Sequence, residues 1–362
     1  MSDVSLPEPA AAIATAHVWK PATNGHENSR LLASAAFSAD QLQSMKFPPV
    51  KFVVPGYIVE GVTLVAGKPK IGKSWLVMHA AIAVARGGYT LGNIQCIEGD
   101  VLYCALEDNP RRLQRRMKKL FKSDPWPSRL SFVCDMPRLK DGGVQLIREW
   151  IECHPEARLI AIDTLVKVRD PRAVQDSSYE ADYASVAQLK SLADEKGVAI
   201  VLVHHVRKMA ADDPLDTVSG TTGLTAAVDS VLVLTRDGSG TTLHGRGRDI
   251  EEIEDAVEFD REACLWRVTG KAVEVRRTDE RTAIIGILRG ADGPLAPREV
   301  ADLSGQSYDA VRAMLTRMHK ANEIRKAGRG QYECDPNTPC HNGHNVTNHQ
   351  DQEEEDSCHC DS

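Results

Sequence analysis

Residues 62–86 read VTLVAGKPKIGKSWLVMHAAIAVAR, and the fold turns on how this stretch is read. It opens on Val62, Thr63, Leu64 and Val65, a β-branched and apolar run of strand type. It then passes through Gly67, Lys68, Pro69, Lys70, Ile71, Gly72, Lys73 and Ser74, and from Trp75 continues as an apolar pattern long enough for about three helical turns. The loop matches G-x-x-x-x-G-K-[ST] between a strand and a helix. Two glycines let successive backbone N–H groups curl around a phosphate, and the helix N-terminus adds a favourable dipole. In such a loop Lys73 reaches the β- and γ-phosphates of a nucleotide and Ser74 ligates Mg²⁺. Residues 67–75 are therefore the expected nucleotide-binding set, against the plainer alternative of a glycine turn that only caps a helix.

The rest of the chain is compatible with an enzyme core of ordinary composition. Its 362 residues, 42% hydrophobic and 26% charged, suffice for one large α/β domain and a small one. No run approaches the roughly 18 apolar residues of a membrane span, and the Ala-rich N-terminus lacks a basic segment followed by an apolar one, so a cytoplasmic, non-membrane protein is expected. Of the nine cysteines, Cys96, Cys104, Cys134, Cys153 and Cys264 are scattered through strand-like or helix-like segments and read as buried free thiols. The net charge of −7 is concentrated: six acidic residues between 351 and 361 stand in a stretch, 336–362, without Lys or Arg. The remainder is close to neutral, which leaves room for a local basic patch facing nucleic acid.

Residues 1–45 read as a flexible arm with at most one short helix near its end, and residues 47–58 lead into the first core strand. After the loop and its helix, Gly87 and Gly88 supply a helix stop. Residues 101–106 (VLYCAL) form a second buried strand that ends in Glu107 and Asp108. A carboxylate there is placed to polarise a water for attack on the γ-phosphate, or simply to serve as an acid before the helix that Pro110 starts. Residues 129–134 make a third strand and 145–152 a helix. Residues 159–164 (LIAIDT) then read as a strand whose Asp163 accepts from water on Mg²⁺ or from the loop hydroxyl.

Residues 165–179 carry Lys167, Arg169 and Arg172 in a turn-rich loop, and a helix follows from 180 to 196. The next strand, 198–203, ends in His204 and His205, at the strand end where α/β folds bind ligands. One of these imidazoles is the expected γ-phosphate sensor. A long polar loop, 206–223, carries Arg207 and Lys208, and two hairpins complete the segment to about residue 268. In GRGRD, Arg246 and Arg248 are two apart and are expected on one face of a strand, where they need an anionic partner or water.

In this order the motifs GKPKIGKS, VLYCALED with its Arg-rich helix, LIAIDTL, IVLVHHVRK and SGTTGLTAAVDSVLVL resemble the RecA-type ATPases of plasmid and phage replication, the RepA-like AAA-domain proteins related to DnaB-type hexameric helicases. The resemblance covers roughly residues 45–270. It implies an α/β, RecA-like P-loop core over 46–275 that uses ATP and Mg²⁺. By the same resemblance Lys73 and Ser74 are the loop cation and hydroxyl, Glu107 activates the lytic water, Asp163 is the Mg²⁺-side carboxylate, and His204 or His205 is the sensor. Arg246 and Arg248 resemble the basic pair that such rings insert into a neighbouring subunit, although Arg246 stands where relatives often have Lys. A homo-oligomer of hexameric ring type is implied, with the loops 165–179 and 206–221 gripping single-stranded DNA in its channel.

Residues 279–334 read as helix, helix-turn-helix and a glycine-tipped hairpin, the order of a winged helix-turn-helix domain. Its nine Lys or Arg over residues 281–334 outnumber six acids, which fits duplex DNA, although such domains also dock onto proteins. The tail, 335–362, holds Cys340, His341, His344, His349, Cys358, His359 and Cys360 in no zinc spacing and reads as a disordered acidic segment. Two functions follow: an ATP-driven translocase or helicase on single-stranded DNA, or an ATP-dependent switch that assembles on duplex DNA without unwinding it.

Overall fold

The computed structural model describes residues 36–47, 49–170, 178–206, 213–218 and 222–334. Most of the arm, the whole Cys/His tail, and Arg172, Arg207 and Lys208 of the two basic loops lie outside the described residues. The described chain begins with a short helix, Ala39–Ser44 (α1), held by a capping box between Ser38 and Gln41. Phe52–Val54 (β1) and Ile58–Val59 (β2) then form a hairpin turned at Pro55 and Gly56. Residues 47–58 thus do more than lead into a core strand, because Val53, Val54 and Ile58 bury themselves over the first core.

Gly61–Gly67 (β3) is followed by Lys73–Arg86 (α2), which stops at Gly87 in the left-handed region, its N–H bonded to the last carbonyls. A small hairpin, Tyr89–Thr90 (β4) and Ile94–Gln95 (β5), precedes Asp100–Ala105 (β6). Asn109 caps Pro110–Phe121 (α3), with the proline at its first position. Then come Leu130–Val133 (β7), Val144–Cys153 (α4), Ala157–Asp163 (β8), Leu165–Val168 (α5), Ser178–Lys196 (α6) and Ala199–His205 (β9). Thr222–Ala227 (α7) leads into Ser230–Asp237 (β10), Gly240–Gly247 (β11), Ile253–Asp260 (β12) and Leu265–Lys271 (β13).

One nine-stranded sheet has the order β13-β12-β11-β10-β3-β9-β8-β6-β7. From β10 to β7 its strands are parallel, and β11, β12 and β13 extend it antiparallel. The parallel strands are apolar nearly throughout because helices cover both faces. Alternate residues serve different cores: Val65 and Val201 pack with α2 and α3, Leu64 and Leu202 with α4, α6 and α7. Of the expected buried thiols, Cys96, Cys104 and Cys264 are buried, whereas Cys134 is half-buried and Cys153, the last residue of α4, is exposed.

A buried carboxylate fixes the entry to β3. Asp229 accepts from the Val62 N–H at 2.8 Å and pairs with Lys190 at 3.0 Å and Arg248 at 3.5 Å. Gly61, at φ +100°, lies so close under it that a Cβ would collide with the carboxylate, so only glycine fits.

A second compact unit begins at Arg276. The helix Ala272–Gly290 (α8), whose first four residues precede that boundary, starts seven residues before the 279 expected from sequence. Pro297–Ser304 (α9) and Tyr308–Lys320 (α10) are joined through Gly305, left-handed at φ 68°, and the cap Ser307. Arg325–Gly328 (β14) and Gln331–Glu333 (β15) close the unit as a hairpin, to which Leu295 bonds through both backbone groups of Tyr332. Ile284, Val300, Val311, Leu315, Met318 and Tyr332 form its core. Among the described residues no helix is long and apolar enough to cross a membrane.

The role of Asp229 is testable by equilibrium urea unfolding. Asp229→Ala leaves the Val62 N–H without its acceptor and Lys190 with Asp194 alone, and is expected to cost about 3 kcal/mol. A loss under about 0.5 kcal/mol would show that water replaces the carboxylate.

Candidate functional site

The C-terminal ends of β3, β6, β8 and β9 converge on the loop 67–74, and each delivers a polar group there. Lys73, the first residue of α2, is 4% exposed. Its ammonium donates to the carbonyls of Gly67 at 2.8 Å and Lys68 at 3.1 Å, and to Nδ1 of His205 at 3.0 Å. An ammonium only donates, so the imidazole accepts and is neutral. Burial lowers the Lys73 pKa to about 8, against the opposing pull of Asp163 and Glu107. Burial and the Lys73 charge likewise push His205 below the usual histidine range. Strand alternation puts His204 on the other face, so of the two histidines only His205 meets the loop lysine.

Asp163 ends β8, nearly buried. Its Oδ2 accepts from the Tyr103 hydroxyl at 2.8 Å, and its Oδ1 is buried without a hydrogen-bond partner among the described residues. Burial raises its pKa, offset in part by the hydroxyls of Ser74 and Tyr103 and by the Arg116 guanidinium. A buried, unmatched carboxylate oxygen beside a serine hydroxyl suits a hydrated divalent cation.

Glu107 lies just beyond β6 with its side chain exposed, and its Oε1 accepts from the Thr164 hydroxyl at 3.2 Å. Its neighbour Asp108 is committed elsewhere, to Arg112 at 3.2 Å and Arg116 at 2.6 Å. Asn109 takes the capping position of α3. The two acids at this strand end are thereby separated: Asp108 is structural, and Glu107 keeps a carboxylate toward the cleft. Arg116 also donates to the Ser74 carbonyl at 3.1 Å and lies over the Trp75 ring at 4.5 Å, which fastens α3 to the first turn of α2.

The loop is pinned from a distant strand. The Trp266 indole of β13 donates to the Gly72 carbonyl at 3.1 Å, and a Cβ on Gly72, at φ +111°, would meet its ring at 2.8 Å. Gly67 is equally confined, because its Cβ would come within 2.8 Å of the Leu234 carbonyl. Between the glycines, Lys68, Pro69 and Lys70 are exposed and Ile71 is half-buried.

Arg246 and Arg248 do not join this cluster. Arg246 stands opposite Val231, which pairs with Leu64 at the middle of β3, and the Arg248 N–H bonds to the Asp229 carbonyl near the end of β3 remote from Gly67. Contrary to the sequence expectation they do not share a strand face, because β11 ends at Gly247. Arg246 pairs with Glu252 at 2.7 Å and Asp213 at 3.3 Å, and Arg248 with Asp229. In one chain, then, Lys73, Ser74, Glu107, Asp163 and His205 meet, and the two arginines face away. Sequence reading missed Tyr103, Arg116, Thr164 and Trp266. Thr164 adjoins a motif residue and Arg116 lies in an Arg-rich helix, but nothing in the pattern marks Trp266.

A family model described as an AAA domain matches residues 26–211. Among solved structures, the chain is similar to a DnaB-like replicative helicase studied with primase, at TM-score 0.50 and 14% identity over 67% of this chain and 70% of that one. It is also similar to a separately solved ATPase domain, at TM-score 0.49 and 14% identity over 67% of this chain and 99% of that one. At this identity the first likeness is one of fold: an α/β core whose central mixed sheet resembles those of RecA-like helicase ATPase domains.

The lowered pKa of Lys73 has a stability signature. With a folded pKa of about 8, below its unfolded value, the unfolded chain binds more protons between about pH 8 and 10.5, so this group's penalty is full below pH 8 and fades as pH rises. Urea unfolding of the nucleotide-free protein is expected to show the wild type gaining on Lys73→Met from about pH 8 to 10. A pH-independent difference would mean that the ammonium is solvated.

Proposed function

The chain belongs to the AAA-domain family, and from that premise we propose that it is an oligomeric, ATP-hydrolysing motor of the cytoplasm that moves along or unwinds single-stranded DNA in the replication of a plasmid, phage or similar element. One observation carries the reading: the buried Lys73 ammonium has carbonyls and a neutral imidazole as its direct partners and lies at the mouth of a loop shaped for phosphate. An incoming triphosphate supplies the anion that this cation lacks.

In this reading Lys73 holds the β- and γ-phosphates, and the backbone of residues 67–75 cradles them. A bound Mg²⁺ would supply neutralisation of the charge that develops on the phosphates. Ser74 and the unmatched Oδ1 of Asp163 are the groups that would hold it. Glu107, steadied by Thr164, orients and deprotonates the attacking water. His205 couples the phosphate to the loop that follows β9, and the Val206 N–H, bonded to the Gly67 carbonyl at 3.3 Å, supports that link.

A loose phosphoryl-transfer transition state needs positioned cations, and Arg246 and Arg248 face away from their own chain's loop. We assign them to a neighbouring copy's site in a ring of hexameric type, after they exchange Asp213, Glu252 and Asp229 for phosphate oxygens. Lys167, Arg169, Arg207 and Lys208 then track DNA phosphates in the channel. The second unit, with α9, α10 and the β14–β15 hairpin in winged-helix order, is read as a duplex-DNA contact. That unit also favours the second reading, an ATP-dependent switch assembling on duplex DNA.

Two sets of variants test the motor. Glu107→Gln is expected to bind ATP normally and to slow turnover by about 10²-fold or more; undiminished turnover would remove Glu107 from the chemistry. Arg246→Ala and Arg248→Ala subunits, titrated into wild type, are expected to depress activity by more than their share. A strictly proportional loss would speak against sites shared between copies.

A further inference from the structure

Helix α3 carries more positive charge than the nucleotide site uses. Among PRRLQRRMKKLF and the following Lys122, the fold sorts the cations into two groups. Arg112 and Arg116 are bound to Asp108, and Lys119 donates to the Arg261 carbonyl. Arg111, Arg115 and Lys118, with Lys122 after them at the C-cap, are all exposed and have no acidic partner among the described residues. The first three recur at i, i+4 and i+7, one above the next on a single helix face. From Arg111 to Lys122 the row runs about 16 Å. A shallow groove runs along it, lined by Asn109, Arg111, Arg112, Gln114, Arg115 and Lys118.

The opposite side of α3 buries Leu113, Met117 and Phe121 in the core shared with α2. Within the two basic loops Leu165, Val168 and Val218 are buried, and after the second Leu224, in the core on the other face of the sheet. The row is therefore a separate surface. Beyond its C-terminal end Trp126 is 43% exposed, its ring 6.5 Å from that of Phe121.

We propose that α3 and Trp126 form a second contact surface for single-stranded nucleic acid, the row of cations holding consecutive phosphates and the indole stacking an unpaired base. Cations without acids complement a polyanion, and an exposed indole is of use to a strand whose bases are not already paired. The surface needs neither ATP hydrolysis nor a ring, but it shares its ligand class with the motor reading, and the variants below separate the two.

The test is fluorescence anisotropy of the full chain with a labelled oligothymidylate and a labelled duplex between about 50 and 200 mM salt, the range over which phosphate contacts are read from the salt slope. Arg111→Gln/Arg115→Gln/Lys118→Gln is expected to weaken single-strand binding about tenfold at low salt and to flatten the slope of log K against log salt by about 2. Its DNA-free ATP hydrolysis and melting temperature should equal those of the wild type, and the matching Lys substitutions should restore the slope. Trp126→Ala should weaken the single strand by about fivefold and leave the duplex unaffected. If the triple variant keeps the wild-type affinity and slope while Lys167→Ala/Arg169→Ala loses binding, the row is no contact and the motor reading stands. Equal losses for duplex and single strand, with Trp126→Ala silent, overturn the single-strand assignment.

Discussion

A lysine ammonium taken almost entirely out of water, with two carbonyls and an imidazole as its direct partners, is the constraint on which the rest of this structure depends. Such a group is tolerated only where the backbone around it is held rigidly enough to keep both carbonyls aimed at it. The fold provides this from three directions. Trp266 presses on Gly72 from β13, Leu234 of β10 closes over Gly67, and His205 arrives from β9 to accept the remaining proton. Residues nearly two hundred positions apart are needed to build a loop of eight.

The sheet order explains why these groups can meet. With β3 central and parallel to both β9 and β10, the C-terminal ends of its neighbours fall beside the loop, and β8 and β6 add Asp163 and Glu107 on the same edge. The opposite edge is organised by Asp229, which holds the start of β3 and draws in Lys190 and Arg248. One edge thus holds a cation with no carboxylate among its direct partners. The other collects arginines already supplied with carboxylates. This polarity sets Lys73 with its loop apart from Asp229 and the Arg248 that pairs with it.

Much of this was legible in the sequence, for identifiable reasons. Residues 62–66, 101–105, 159–162 and 199–203 are buried on both sides, so their runs are apolar almost without a break and end abruptly at polar site residues or the phosphate loop. Gly87, Pro110 and Gly305 punctuate helices through backbone chemistry that single residues dictate. What escaped was long-range or shared between weak signals. Trp266 reads as an ordinary strand aromatic until its indole is seen on Gly72. Glu107 and Asp108 are adjacent acids, and only the placement of Arg112 and Arg116 separates their roles. The spacing of Arg246 and Arg248 suggested a common strand face, but the strand ends between them. The early start of α8 was hidden because residues 272–278 carry no pattern distinguishing helix from linker.

The most direct test of a phosphate-binding lysine at the heart of a DNA motor is steady-state ATP hydrolysis with Mg²⁺, measured without DNA, with single-stranded DNA and with duplex, against Lys73→Ala as the blank. Hydrolysis well above the blank is expected, stimulated by the single strand and not by duplex, with the stimulation collapsing as salt is raised. Hydrolysis no faster than that of Lys73→Ala, or indifferent to the single strand at every salt concentration, would contradict it.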